Sequence, residues 1–203
     1  MKKSNKNKVY EAYDHIIDWY DVHRNKELDM EQFYLEKVRE HFPCGGRVLD
    51  VGCGTGEPIA KFFIEAGYEL TGVDASKKMI ARCKKMFPDA QWILTDMRAM
   101  KFNEQFDVVI AWHSFFHLTQ ADQRSTLSLF SSLVKPKGLL LFTSGPEAGE
   151  VWGDNGGYDL YHASLDSNEY EAILHKNNLH VIVHKIRDPD CGDATVWVAQ
   201  KNS

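Results

Sequence analysis

The sequence predicts a doubly wound α/β fold, a mostly parallel seven-stranded sheet with helices on both faces and an antiparallel hairpin at its C-terminal end. Three observations predict it. From Arg47 onward, short apolar runs alternate with amphipathic stretches, which is the pattern of a parallel sheet covered on both sides. The first of these runs, 47–51, passes directly into the glycine-rich turn Gly52-Cys53-Gly54-Thr55-Gly56. The last two runs are joined by the turn-rich Arg187-Asp188-Pro189-Asp190-Cys191-Gly192-Asp193, a connection suited to an antiparallel pair.

Taken in chain order, the basic stretch Met1 to Lys8 reads as a frayed, solvated tail. Val9, Tyr13, Ile16, Ile17 and Tyr20 then fall on one helical face, and a second helix is expected over 30–42. Strands are expected over 47–51, 68–73, 91–94, 106–112 and 138–143, with helices over 58–66, 76–86 and 121–134 between them. Ser76 is placed to N-cap the helix carrying Met79, Ile80, Cys83 and Met86, and Thr119 to cap the one carrying Leu127, Phe130, Leu133 and Val134. Gly67 suits a C-terminal cap after Ala66, and Lys135-Pro136-Lys137-Gly138 ends the later helix. Residues 145–157, with Pro146, Gly149, Gly153, Gly156 and Gly157, read as a long insert without a regular element. A helix over 167–177 follows, with Asp166 and Glu169 spaced as a capping-box variant, and strands over 180–186 and 195–200 close the chain.

Composition narrows the function. A chain of 203 residues, 43% hydrophobic and 26% charged, is expected to fold as one domain with a single core rather than as a disordered or coiled-coil protein. Apolar runs such as 108–112 and 138–142 fall far short of the ~20 residues of a membrane helix, so no membrane partner is expected. The segment 10–21 is broken by Glu11, Asp14, Asp18 and Asp21, which argues against a signal peptide. Cys44, Cys53, Cys83 and Cys191 form no C-x-x-C pair and no Cys/His cluster, so neither zinc nor a disulfide framework is expected, and the compartment reads as the reducing cytosol. A net charge of −5 disfavours a nucleic-acid partner, which would need a concentrated Lys/Arg surface. A small or neutral substrate fits better.

The strongest chemical signal is Val48-Leu49-Asp50-Val51-Gly52-Cys53-Gly54-Thr55-Gly56, a buried strand running into a glycine turn and then a helix. Glycines let the backbone turn tightly and approach a ligand without a Cβ in the way. Asp74 directly follows the next strand, about 20 residues on, where an acid accepts hydrogen bonds from ribose hydroxyls. A turn residue or helix cap is the plainer role for Asp74.

V-L-D-V-G-C-G-T-G, then G-V-D-A-S-K-K-M, F-D-V-V-I-A-W and L-V-K-P-K-G-L-L-L-F resemble the ordered motifs of the class I S-adenosylmethionine-dependent methyltransferases, over residues 47–143. The resemblance implies a Rossmann-like fold, S-adenosylmethionine as cofactor and a small-molecule methyl acceptor. It implies that Asp50, Gly52, Cys53, Gly54 and Gly56 lie under the amino-acid part of the cofactor, and that Asp74, with Ala75 beside it, grips the ribose. Asp96 would accept from the adenine amino group with Met97 packed on the ring, or Asp96 caps the following turn. Met79 would cover the other adenine face, or serves as a core methionine. Ala111 and Trp112 end the strand from which the methyl group should emerge.

Methyl transfer is an in-line displacement at a carbon already activated by sulfonium charge, so the protein supplies mainly alignment, exclusion of water and, for an acidic acceptor, a base. His113 is the preferred base. His117 stands where many small-molecule members carry a histidine, although Phe116 replaces the one that often precedes it. Either histidine alone also reads as non-catalytic. Tyr10, Tyr13 and Tyr20 are expected in a lid. Trp152, Tyr158, Tyr161 and His162 in 145–162 either close over the acceptor or pack on the core.

The division that results is a single domain, 1–203: an N-terminal helical lid (1–44), a cofactor-binding core (45–144), a substrate loop (145–165) and a closing helix and hairpin (166–203). The Asp/Asn-Pro-Pro-aromatic run of amino-methylating nucleic-acid enzymes, the Pro-Cys of cytosine C5 enzymes and the metal set of catechol-type enzymes are all missing, so no metal is expected. Two other readings stand. A nicotinamide-dependent oxidoreductase would need G-x-G-x-x-G, but Glu57 occupies the last glycine position. A non-catalytic protein binding S-adenosylmethionine or S-adenosylhomocysteine would keep the same pocket. Nothing in the pattern assigns an oligomeric state.

Overall fold

The computed structural model describes residues 2–43 and 45–203; Cys44 therefore lies outside the described residues. Its frame is a seven-stranded sheet built from β2 (Arg47–Val51), β3 (Glu69–Asp74), β4 (Gln91–Leu94), β5 (Phe106–Ala111), β6 (Val134–Ser144), β9 (Leu179–Asp188) and β10 (Ala194–Lys201). The order is β4-β3-β2-β5-β6-β10-β9, parallel from β4 to β6, with β10 antiparallel to both its neighbours. The predicted α/β architecture is the observed one. The order reverses between β2 and β5, and the chain leaves both strands at their carboxyl ends on the same edge, the place where open α/β sheets bind ligands.

Helices α3 (Ile59–Glu65), α4 (Lys77–Met86), α5 (Gln120–Leu133) and α6 (Ser167–Lys176) join the strands. The caps read from sequence are formed: the Ser76 hydroxyl accepts from the Met79 amide and the Thr119 hydroxyl from the Asp122 amide. Asp166 caps α6 through the amide of Asn168, but the capping box is not completed, because the Glu169 carboxylate is held by Arg124. Two apolar layers cover the sheet. One contains Phe63, Leu70, Cys83, Val108 and Leu141; the other contains Leu49, Phe115, Phe130, Phe142 and Trp197.

Two expectations are corrected. The insert expected over 145–157 is largely regular: from Gly149 it forms a hairpin, β7 (Gly149–Asn155) and β8 (Tyr158–Ser164), turning at Gly156 and Gly157, both with positive φ. Its glycines are needed at the turn and do not interrupt the pairing, which runs unbroken from Gly149 opposite Ser164 to Asn155 opposite Tyr158. The N-terminal tail is not simply frayed: β1 (Lys2–Lys3) pairs in parallel with β8, and the next residue, Ser4, is buried against the hairpin.

The helix α1 (Tyr10–His23) packs Ala12 and Ile16 on Leu160, Tyr161 and Ala163 of that hairpin. Its other side is fastened to α4: Asp14 accepts from the Ser76 hydroxyl at 2.6 Å and the Lys78 amide at 3.1 Å, and Asp21 pairs with Arg82. The helix α2 (Gln32–His41) buries Tyr34, Leu35 and Val38 against the sheet.

Candidate functional site

The β2 strand delivers the chain into the glycine turn, where Gly52 and Gly54 adopt φ of +73° and +55°. A Cβ on Gly52 would stand 2.3 Å from the Cβ of Ser114, so only glycine fits between the turn and the segment after β5. Ser114 is fixed in turn by donating from its hydroxyl to the Val51 carbonyl at 2.7 Å. Asp74, at the end of β3, accepts from the amides of Gly54 at 3.0 Å and Ser76 at 2.8 Å, one on each oxygen. It thus locks the turn from the side while each oxygen keeps a second lone pair.

Above these groups lies a cavity of about 970 Å³ counting its open mouth. Of the residues predicted for the cofactor, Asp50, Gly52, Cys53, Gly54, Asp74, Ala75, Met79, Asp96, Met97 and Trp112 line it together, as do Tyr10, Tyr13, Tyr20, His113 and His117. Six predicted residues do not, among them Tyr161, which is fully buried where the hairpin meets α1. Gly56 folds back against Phe87 and Trp92, and Ala111 is buried within β5. Trp152 is 38% exposed and packs on Tyr161 from the outer side of the hairpin, with the Lys3 ammonium over its ring, so its place in the substrate site is not observed. Tyr158 stacks on His15, and His162 stands behind His117 with their rings 4.7 Å apart.

Electrostatics divides the site into two ends. Asp50 is 3% exposed, and burial, reinforced by the Asp74 charge and opposed by Arg24, raises its pKa to about 7. Burial likewise lifts Asp74 to about 6 against the pull of the Ser76 and Gly54 amides. Arg24 pairs with buried Glu31 at 2.7 Å, and its Nε is buried without a partner. The indole N–H of Trp112 is also buried and unpartnered. Buried polar groups are seldom left unpaired, and both residues face the same cavity.

At the other end, His113 adopts φ +50° and donates its amide to Thr143 Oγ1 at 2.9 Å. Burial, helped by the Arg24 charge, lowers its pKa to about 4. His117 Nδ1 lies 2.9 Å from the Tyr161 carbonyl and Nε2 lies 2.9 Å from the Tyr13 hydroxyl. Its pKa is pushed down to about 3, by burial first and by His162 next.

Asp96 performs the capping role: its carboxylate accepts from the amide of Arg98 at 2.9 Å and is clasped by the Arg98 guanidinium. Burial alone would raise the Asp96 pKa, but the Arg98 contacts overcome it and the net shift is downward. Arg24, Arg98 and Asn7 line the cavity without having been singled out in the sequence. For Arg24 no local pattern signals this, and only folding brings Glu31 to it; Arg98 has Asp96 two residues away, but only folding adds Asp122 and the Asn7 carbonyl. Among the described residues, no group of three or more His, Cys, Asp or Glu is placed to hold a metal ion.

A parallel sheet with a ligand cavity over its carboxyl ends, a glycine turn locked by one acid and a second acid at the base of the cavity defines a cofactor-binding protein of the methyltransferase class. Comparison with known proteins agrees. The family described as "Methyltransferase domain" matches residues 48–138. The dTDP-3-amino-3,6-dideoxy-alpha-D-glucopyranose N,N-dimethyltransferase of Streptomyces fradiae is 31% identical over 173 residues, 77% of this chain and 67% of that protein. The glycine/sarcosine N-methyltransferase of Aphanothece halophytica is 33% identical over 139 residues, 64% of this chain and 50% of that protein. Magnesium protoporphyrin IX methyltransferase from Synechocystis PCC 6803, solved with bound S-adenosylmethionine, superposes with a TM-score of 0.73 at 15% identity, covering 98% of each chain. This chain belongs to the class I S-adenosylmethionine-dependent methyltransferase family. It spans about half the length of the first curated relatives it matches, 44%, 56% and 50%.

Proposed function

We propose that the cavity binds S-adenosylmethionine and that the chain transfers its methyl group to a small-molecule acceptor. The observation that carries this reading is the set of groups around the cavity that want a zwitterionic nucleoside. Asp50 suits the ammonium of the amino-acid moiety, and the unpartnered Arg24 Nε and Trp112 N–H suit its carboxylate. Gly52 and Gly54 leave the backbone open beneath it, Asp74 has lone pairs for ribose hydroxyls, and Met79 and Met97 offer adaptable thioether surface to a flat ring. Asp96 retains one lone pair per oxygen or fewer beside Arg98, so it shares its carboxylate between that guanidinium and the adenine amino group.

Bound there, the sulfonium supplies a methyl carbon already activated for displacement. The chain's own contribution is to hold the acceptor in line and keep water out, through α1, which the β7–β8 hairpin backs from the side away from the cavity, and through His113, His117 and Tyr13 on the cavity wall. The relatives named above as glycine/sarcosine and amino-sugar methyltransferases act on nitrogen, which favours a nitrogen acceptor here. No helix among the described residues is long and apolar enough to cross a membrane, and the free cysteines fit a reducing, cytosolic setting.

Calorimetric titration with S-adenosylmethionine and S-adenosylhomocysteine, with Asp74→Ala and NAD as controls, tests the reading. Binding near micromolar, about −8 kcal/mol, that is lost in the variant and not shown by NAD is the expected result. Folded protein that binds neither adenosyl ligand overturns it.

A further inference from the structure

Ser76 joins three elements. Its amide donates to Asp74 Oδ1 at 2.8 Å and so helps to orient the acid at the end of β3. Its hydroxyl accepts from the Met79 amide at 3.2 Å and caps α4. The proton of that hydroxyl goes to Asp14 Oδ1 on α1, at 2.6 Å. Ser76 is 0% exposed, so bulk solvent does not reach this proton, and a buried donor left unpaired is costly. Asp14 Oδ1 also accepts from the Lys78 amide at 3.1 Å. A carboxylate on α1 thus completes the first turn of α4, and both contacts fall on one oxygen.

The faces of α1 turn this contact into a link between the helix and the cavity. Tyr13, Tyr20 and Arg24 line the cavity, while Asp14 and Asp21, each one residue beyond a tyrosine, reach Ser76 and Arg82. A shift of α1 along α4 therefore moves both rows. The two carboxylates also feel each other: burial raises the Asp74 pKa to about 6, and the Asp14 charge adds to that rise.

Resting on the cofactor reading above, we propose that Asp14 is a positioning residue for the ribose of the methyl donor: through Ser76 it sets the Asp74 carboxylate, and ribose at Asp74 in return holds α1 against the cavity. The Gly54 and Ser76 amides pin one Asp74 oxygen each and leave a lone pair on each for a ribose hydroxyl. Two hydroxyls need both oxygens in fixed places. A loose Ser76 frees one of the pins, and the cost of ordering it is added to binding. Hydroxyls bound at Asp74 steady the same junction, and with it Asp14 and α1; the coupling has the same size in both directions. Because both donors meet Oδ1, the junction uses an acceptor oxygen at position 14 and not its charge.

The test compares adenosine with 2′,3′-dideoxyadenosine, which lacks both hydroxyls, as competitors of S-adenosylhomocysteine at pH 8, where Asp74 is ionised. In wild type, adenosine should bind at least about tenfold more tightly than the dideoxy compound. Asp14→Ala should weaken adenosine and S-adenosylhomocysteine by about tenfold and leave dideoxyadenosine unchanged, so that the ribose preference collapses. Asp14→Asn keeps an oxygen for both donors and should restore the preference. Hydrogen exchange of the wild type supplies a readout that needs no variant: adenosine should slow exchange over residues 10–23, and dideoxyadenosine at matched occupancy should not. Four results would each overturn the inference while the cofactor reading stands: a ribose preference unchanged in Asp14→Ala, an equal loss of both nucleosides there, an asparagine variant as weak as the alanine one, or equal slowing of α1 by both nucleosides. Wild-type protein that binds no S-adenosylhomocysteine removes the cofactor reading itself.

Discussion

Arg98 donates from its guanidinium to the carbonyl of Asn7 at 2.7 Å, across 91 residues of sequence, and so ties the N-terminal segment to the turn after β4. The same guanidinium holds Asp96 and Asp122, which fixes it rigidly at the cavity wall. The segment from Ser4 to Val9 is therefore a strap over one end of the cavity, anchored at Arg98 and again at β8 through the Ser4 amide and the Asp159 carbonyl.

Removing the anchor should loosen the strap. Arg98→Ala is expected to speed hydrogen exchange over residues 4–9 and to raise the dissociation rate of S-adenosylhomocysteine by about tenfold, with a smaller effect on association, as is usual for changes at one interface. Exchange mass spectrometry and stopped-flow displacement measure the two. Unchanged exchange would show that β1 alone holds the segment.

The glycine turn and its caps were legible in the sequence because they are local. Val48 to Gly56, Ser76 before Met79 and Thr119 before Asp122 each complete their geometry within a few residues. The hairpin β7–β8 was not legible, since four glycines dominate its composition and β8 is covered by α1 as well as by the core, which removes the alternation of a half-exposed strand. β1 was hidden for a different reason: two lysines form a strand only because β8 offers an edge. Arg24 looks like a surface residue until Glu31 arrives beside it, and Asp14 completes the cap of a helix 62 residues away.

Two glycines with positive φ provide a contrast between space and conformation. Gly52→Ala meets Ser114 at 2.3 Å as well as an unfavourable φ, whereas Gly67→Ala, at φ +83°, has no atom within 4 Å of the new Cβ. Gly67→Ala should cost roughly 1–2 kcal/mol in urea unfolding, the conformational penalty alone. Gly52→Ala should cost more than that and abolish adenosyl-ligand binding. Equal costs for the two would mean that the turn yields at Ser114.

The buried carboxyl of Asp50 sets a pH dependence. Its folded pKa of about 7 lies above the ordinary value near 3.9, so the folded chain holds the proton more tightly than the unfolded one. Stability without cofactor therefore falls as pH rises from about 4 to about 7 and is level above, by a few kcal/mol at most. Asp50→Asn should make that slope shallower, leaving the part that Asp74, raised to about 6, contributes with the same sign, and raise the melting temperature at pH 8. Binding moves the other way: an ammonium ligand needs the ionised acid, so S-adenosylmethionine affinity should fall by up to about tenfold per unit below pH 7 and be weak at every pH in Asp50→Asn. A flat affinity profile between pH 5.5 and 8 would remove Asp50 from the ammonium site.

Arg24 faces two partners, and the test must separate them. Its ion pair with Glu31, whose side chain is 3% exposed, means that Arg24→Met strands a buried carboxylate, a change that costs roughly 3–5 kcal/mol. Arg24→Met with Glu31→Gln removes that charge and should recover most of the stability. The double variant should still bind S-adenosylhomocysteine about 10- to 100-fold more weakly, because a charge-assisted contact to the carboxylate is gone. 5′-Methylthioadenosine has the same nucleoside but no amino-acid part, and its affinity should be the same in wild type and double variant. Equal losses for both ligands would mean that Arg24 shapes the cavity through Glu31 and α2 and makes no contact with the carboxylate. A loss confined to the ligand with the carboxylate assigns the contact to Arg24, and through it gives α1 a direct hold on the amino-acid end of the cofactor.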